Sequence, residues 1–150
     1  MAEPRRAVAV LFKTQRRGAA MTLRLGFIAI VTRDVSASLA FYRVLGAPVP
    51  ERSDEPHVDT RLDDGTVLAW DTIDLIRRLD PGYESPSGGH RIALSFDQGT
   101  VNAVDATYSR LTGAGYEGRT KPWDAPWGQR YATVVDPDGN SVDLFAALEN

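Results

Sequence analysis

Cysteine is absent from all 150 residues. The chain therefore has no disulfide, no thiolate metal ligand and no cysteine nucleophile, and a cytoplasmic location is the expectation. Histidine is nearly as scarce, with His57 and His90 only. They lie too far apart to form a local metal motif. His57 sits in the polar run Glu55-Pro56-His57 and reads as a surface residue. No apolar run approaches the ~18 residues of a membrane span, so no membrane partner is expected. Glycine-rich phosphate loops, dinucleotide-binding glycine fingerprints and a serine nucleophile elbow are missing as well.

Positive charge is scarce beyond the first residues. Residues 1–20 carry five basic side chains and one acid, a net +4 in a chain of net −3, which leaves −7 on residues 21–150. That acidic body and the lack of basic stripes with interleaved aromatics argue against a nucleic-acid partner. A secretory signal needs an apolar core of ~7–15 residues, and Ala7 to Phe12 supplies six. Residues 1–20 are read as a poorly ordered N-terminal extension. A single domain is expected over 21–150, beginning at Met21.

What the chain does contain is one plan used twice. Leu23 to Val31 alternates as a strand, with Ile28 and Ile30 on one side and Phe27, Ala29 and Val31 on the other. Asp34 occupies an N-cap position, Val35 to Leu45 has helical apolar spacing, and Gly46 stops the helix. Ala47 to Pro50, His57 to Leu62 and Thr66 to Asp71 read as short strands, the last two joined by Asp63-Asp64-Gly65. Thr72 to Leu79 reads as a short helix. Asp80 to Gly89 is rich in proline and glycine and reads as a linker. Then comes a strand from Arg91 to Phe96, a helix from Val101 to Ala114 and a short strand from Glu117 to Lys121. Last is a hairpin, Tyr131–Val135 and Ser141–Phe145, around Asp136-Pro137-Asp138-Gly139-Asn140. The fold expected is α+β: two tandem βαβββ modules, about 22–80 and 90–148, forming a cupped mixed β-sheet. Ile28, Ile30, Ile92 and Leu94 would face the helices. The small residues between them would face the cup. Asp143, between Val142 and Leu144, points opposite to those apolar neighbours.

Three features together resemble the glyoxalase/bleomycin resistance/dioxygenase superfamily, the vicinal-oxygen-chelate fold. They are the strand–Asp–helix opening from Phe27 to Gly46, the restart at Gly89-His90-Arg91-Ile92-Ala93-Leu94, and the ending from Trp127-Gly128-Gln129-Arg130-Tyr131 through the Asp136–Asn140 turn to Asp143-Leu144. The resemblance covers roughly residues 22–148. It implies a cup that holds a divalent metal in the family's enzymes, with ligands from the first and last strands of each half, and a homodimer. At those places this chain has Phe27, Arg91, a position within Ala69 to Asp71, and Asp143. Phenylalanine cannot bind a metal and arginine is a permanent cation, so no metal cofactor is favoured. The fallback set is His90 and Asp143.

The expected function is therefore metal-independent binding of an aromatic metabolite or antibiotic in the cup, a bleomycin-resistance-like sequestration. A glyoxalase-like lyase or isomerase, or a dioxygenase with a divalent metal, is the alternative. Arg91 and Asp143 would pair as ions where the metal would sit. They are also the candidates for catalysis: Asp143 as base, Arg91 as anion stabiliser. The stretch Lys121 to Gly128 reads as a proline-stiffened loop presenting Trp123 and Trp127, with Trp70 as the facing wall. Phe27, Trp70, Arg91, Trp123, Trp127, Tyr131 and Asp143 are the expected ligand-binding residues.

Overall fold

The structure, a computed structural model, describes residues 23–149; the expected extension over 1–20 lies outside them. The fold is α+β. The first module contributes β1 (Ile28–Thr32), α1 (Val35–Leu45), β2 (His57–Arg61), β3 (Val67–Thr72) and α2 (Ile73–Leu79). The second contributes β4 (Ala93–Asp97), α3 (Val101–Gly113), β5 (Glu117–Ala125), β6 (Gln129–Val135) and β7 (Ser141–Ala147). The strands form two mixed sheets, ordered β1-β3-β2 and β4-β7-β6-β5. Each opens with a parallel pair, β1 with β3 and β4 with β7, and continues antiparallel. Among the described residues no helix is long and apolar enough to cross a membrane.

The helix ends follow from the sequence. The side chain of Asp34 accepts from the backbone N–H of Ala37 at 3.0 Å, and Gly46 takes φ +118°. Thr72 and Thr100 cap α2 and α3 in the same way as Asp34 caps α1. Ile30, Leu39, Phe41, Trp70, Val104, Leu111, Val142 and Leu144 form one core that runs through both modules. Phe41 meets Tyr42 and, from the second module, Tyr116 edge-on, with ring centroids 5.0 and 4.9 Å apart.

The closing turn ties the modules together. Asp136, 3% exposed, accepts from the backbone N–H groups of Asp138 and Asn140, from the Asn140 amide and from the Tyr42 hydroxyl on α1. Burial, then the charge of Asp136, raises the Tyr42 phenol far above its ordinary value, so it remains a donor. Asp138 in turn accepts from the backbone N–H of Arg33 at 3.1 Å.

Two expectations are corrected here. Ala47 to Pro50 is not a strand. Pro48 and Pro50 have no N–H for a ladder, and the Pro48 carbonyl accepts from the Thr60 hydroxyl instead. The first module therefore has three strands where four were expected. Lys121 to Ala125 is not a loop but the outer half of β5. As an edge strand, β5 accommodates Pro122 with register shifts on both sides of Thr120.

Candidate functional site

Strand alternation splits each sheet into a helix-packed face and an opposite, polar face. In the second sheet Leu94, Phe96, Val142, Leu144, Ala132 and Val134 join the core. Between them, Ser95, Asp143 and Thr133 stand side by side on β4, β7 and β6, in direct register. Asp143 is 8% exposed. One carboxylate oxygen accepts from the Thr133 hydroxyl at 2.8 Å and the other from the Ser95 hydroxyl at 3.2 Å. Ser95 and Thr133 were not anticipated as site residues. Counting outward from the Asp136–Asn140 turn would have placed Thr133 opposite Asp143. The parallel register that brings in Ser95 has no such signal.

Next to this cluster lies an aromatic trio. Tyr131 on β6 is opposite Trp123 on β5. Trp127, in the turn between those strands, meets Trp123 at 5.6 Å and Tyr131 at 5.4 Å, both edge-on. Its indole N–H donates to the Gln129 side chain at 2.9 Å. Both indoles remain open, Trp123 at 41% and Trp127 at 58%. Burial, then hydrogen bonding to Asp143 and the charge of that carboxylate, pushes the Tyr131 phenol up to about 12. It is therefore a protonated donor at neutral pH. The sequence thus named Trp123, Trp127, Tyr131 and Asp143, and the structure brings all four to one region of one sheet.

The polar face of the first sheet is built differently. His57 opens β2 opposite Asp71 on β3. Its Nδ1 lies 2.5 Å from a carboxylate oxygen of Asp71 and its Nε2 lies 3.3 Å from Asp59. The hydrogen bond to Asp71 raises the pKa of His57, against an opposing effect of burial. The ring is only 11% exposed, which corrects the surface reading. Counting back from Asp63–Gly65 would have revealed the pairing.

Three further placements differ from expectation. Trp70 is no cup wall: it points to the helix-packed side, is fully buried, and meets Tyr42 edge-on at 5.3 Å. Arg91 does not pair with Asp143. Strand β4 starts at Ala93, so the alternation that would turn Arg91 inward does not reach it, and Arg91 is exposed. Ile92, expected against a helix, is 79% exposed for the same reason. His90 is exposed before the strand, and Phe27 is half-buried just before β1.

These residues do not fit a divalent metal. Ala69 faces Ala29 in the first sheet as Asp143 faces Ser95 in the second. The four positions therefore offer a phenyl ring, a methyl group, a guanidinium outside its strand, and one carboxylate engaged by two hydroxyls. Among the described residues no group of three or more histidine, aspartate or glutamate side chains is placed to hold a metal ion. A cavity of about 510 Å³ lies elsewhere, at the seam between modules, lined by Ile28, Ile30, Tyr83 and Leu94 with Arg33 and Asn140. Neither Asp143 nor the trio borders it.

A family model described as the glyoxalase/bleomycin resistance protein/dioxygenase superfamily matches residues 24–144. No curated protein matches the chain significantly. Several solved structures do. A glyoxalase/bleomycin resistance protein/dioxygenase family enzyme from Burkholderia phytofirmans PsJN is 24% identical, with TM-score 0.72, over 81% of this chain and 97% of that one. A glyoxalase/bleomycin resistance protein/dioxygenase from Nocardioides is 25% identical, with TM-score 0.67, over 97% and 95%. A glyoxalase-related enzyme from Fulvimarina pelagi is 24% identical, with TM-score 0.71, over 83% and 88%.

Proposed function

The chain belongs to the glyoxalase/bleomycin resistance protein/dioxygenase superfamily, and from that premise we propose that it binds a small, partly aromatic molecule without a metal. The ligand, a metabolite or an antibiotic, is held on the polar face of the second sheet. Sequestration or carriage follows, with no bond broken. The observation that carries this reading is the pair of exposed indoles beside a nearly buried carboxylate. Exposed tryptophans held by neighbouring rings offer flat apolar surface at little ordering cost. The alternative is a lyase, isomerase or dioxygenase using a divalent metal; the metal-independent reading is favoured over it by Phe27 and Arg91 at two of the family's ligand positions. A homodimer is proposed on the family resemblance.

The test is titration of the full chain with a panel of neutral and charged aromatic compounds, with and without EDTA, followed by tryptophan fluorescence. Saturable quenching that Trp127→Ala weakens is expected. One tight metal per purified chain, or binding that EDTA removes, would overturn the metal-independent reading.

A further inference from the structure

We infer that the ligand taken on this face carries a protonated amine beside its aromatic ring. The inference rests on the reading above, that Asp143 and the trio form the binding face, and names the chemical class that the face selects.

The buried and paired carboxylates of this protein have partners of two kinds. Asp71 is paired with His57, Asp105 with Arg130 and Asp138 with Arg33. Asp136 has no cation but accepts four hydrogen bonds. Asp143 is nearly buried, like Asp71 and Asp136, yet its partners are neutral: the hydroxyls of Ser95 and Thr133, with the Tyr131 phenol close enough for the carboxylate to raise its pKa. A carboxylate has about four acceptor sites, so its capacity is not filled. A nearly buried charge that meets only neutral donors is costly, and a cation placed against it removes that cost.

The surroundings favour the same sign. On β4, β6 and β7, the strands of Asp143 and its hydroxyl partners, the residues that alternate onto this face are neutral apart from Asp97 and Asp143; on the edge strand β5, Glu117 lies opposite Val135 and the exposed Lys121 two residues before Trp123. Arg91, which would have suited an anionic ligand, lies outside the strand and exposed. The rings of Tyr131, Trp127 and Trp123 stand at interplanar angles of 80° and 89°. Such rings attract a cation through their π faces as well as stacking an aryl group. A ligand with both parts uses the whole site: ammonium toward Asp143, ring against the indoles.

Three matched probes decide it: phenethylammonium, 2-phenylethanol and phenylacetate, titrated into the full chain by tryptophan fluorescence at low salt. The cation is expected to bind about tenfold or more tighter than the alcohol, and phenylacetate weakest. Asp143→Asn should remove the preference for the cation over the alcohol, while Trp127→Ala weakens all three. Equal affinity for cation and alcohol, or a preference for phenylacetate, overturns the amine inference and leaves aromatic binding standing. Failure of all three probes to bind at millimolar concentration overturns the binding reading itself. The wild-type comparison decides the matter even where Asp143→Asn does not fold.

Discussion

The two modules start from one plan and finish their polar faces in opposite ways. In the first, His57 lies between Asp71 and Asp59, so each ring nitrogen meets a carboxylate. In the second, Asp143 meets hydroxyls, and an open aromatic trio stands beside it. The indoles divide the same way: Trp70 is sealed in the core and Trp123 and Trp127 are exposed. A charge satisfied inside its own sheet has little left to offer a ligand. One met only by neutral donors does. Under the proposed function, the difference separates a structural half from a recognising half on a repeated scaffold.

Substitutions sharpen that contrast, and the largest effect is expected in the core. Trp70→Ala should cost about 3–5 kcal/mol in chemical denaturation, whereas Trp127→Ala should stay within about 0.5 kcal/mol and act on binding alone. Similar losses for both would dissolve the distinction between the indoles. The carboxylates come next. Asp71→Ala should remove about 1–3 kcal/mol by leaving the His57 ring without its main partner. Asp143→Asn keeps one hydroxyl as donor to its amide oxygen and makes the other an acceptor from its amide N–H, and should leave the unfolding midpoint close to wild type. A midpoint that falls as far in Asp143→Asn as in Asp71→Ala would make Asp143 a structural residue too.

The smallest effect is on pH dependence. The folded pKa of His57 is raised above its ordinary 6.5, mainly by the hydrogen bond to Asp71. Its contribution to stability is therefore complete below that ordinary value and fades as pH rises through the folded pKa. Melting temperatures taken from pH about 6 to about 9 should fall more steeply in the wild type than in His57→Gln. Parallel profiles would mean that the His57 pair is not linked to folding.

Much of this was legible where local chemistry decides structure. Asp34 and Gly46 bracket α1 because a side-chain oxygen and a positive φ are needed at those places. The apolar neighbours of Asp143 gave its orientation, since strand alternation allows no other. Legibility failed where distant chain decided. Two prolines, Pro122 and Pro126, made Lys121–Gly128 look like a loop, but an edge strand has no outer neighbour and tolerates Pro122 within its ladder. Arg91 was placed by extending alternation beyond the strand, and only the pairing with β7 shows that β4 starts at Ala93. Trp70 was assigned to the cup although it shares its face with Leu68 and, across the hairpin, Val58, an apolar set that packs in the core.

The link between Tyr42 and Asp136 spans 94 residues of chain. Synthesis on the ribosome is vectorial, so α1 emerges long before the turn that will receive its phenol. Until Asp136 to Asn140 leave the exit tunnel, the first module carries a hydroxyl with its intended acceptor still unmade, and half of the shared core has nothing to pack on. Chains arrested before Asp136 should therefore be protease-sensitive throughout. The first module would acquire resistance only when the last hairpin arrives, which makes the whole domain a single unit of quality control.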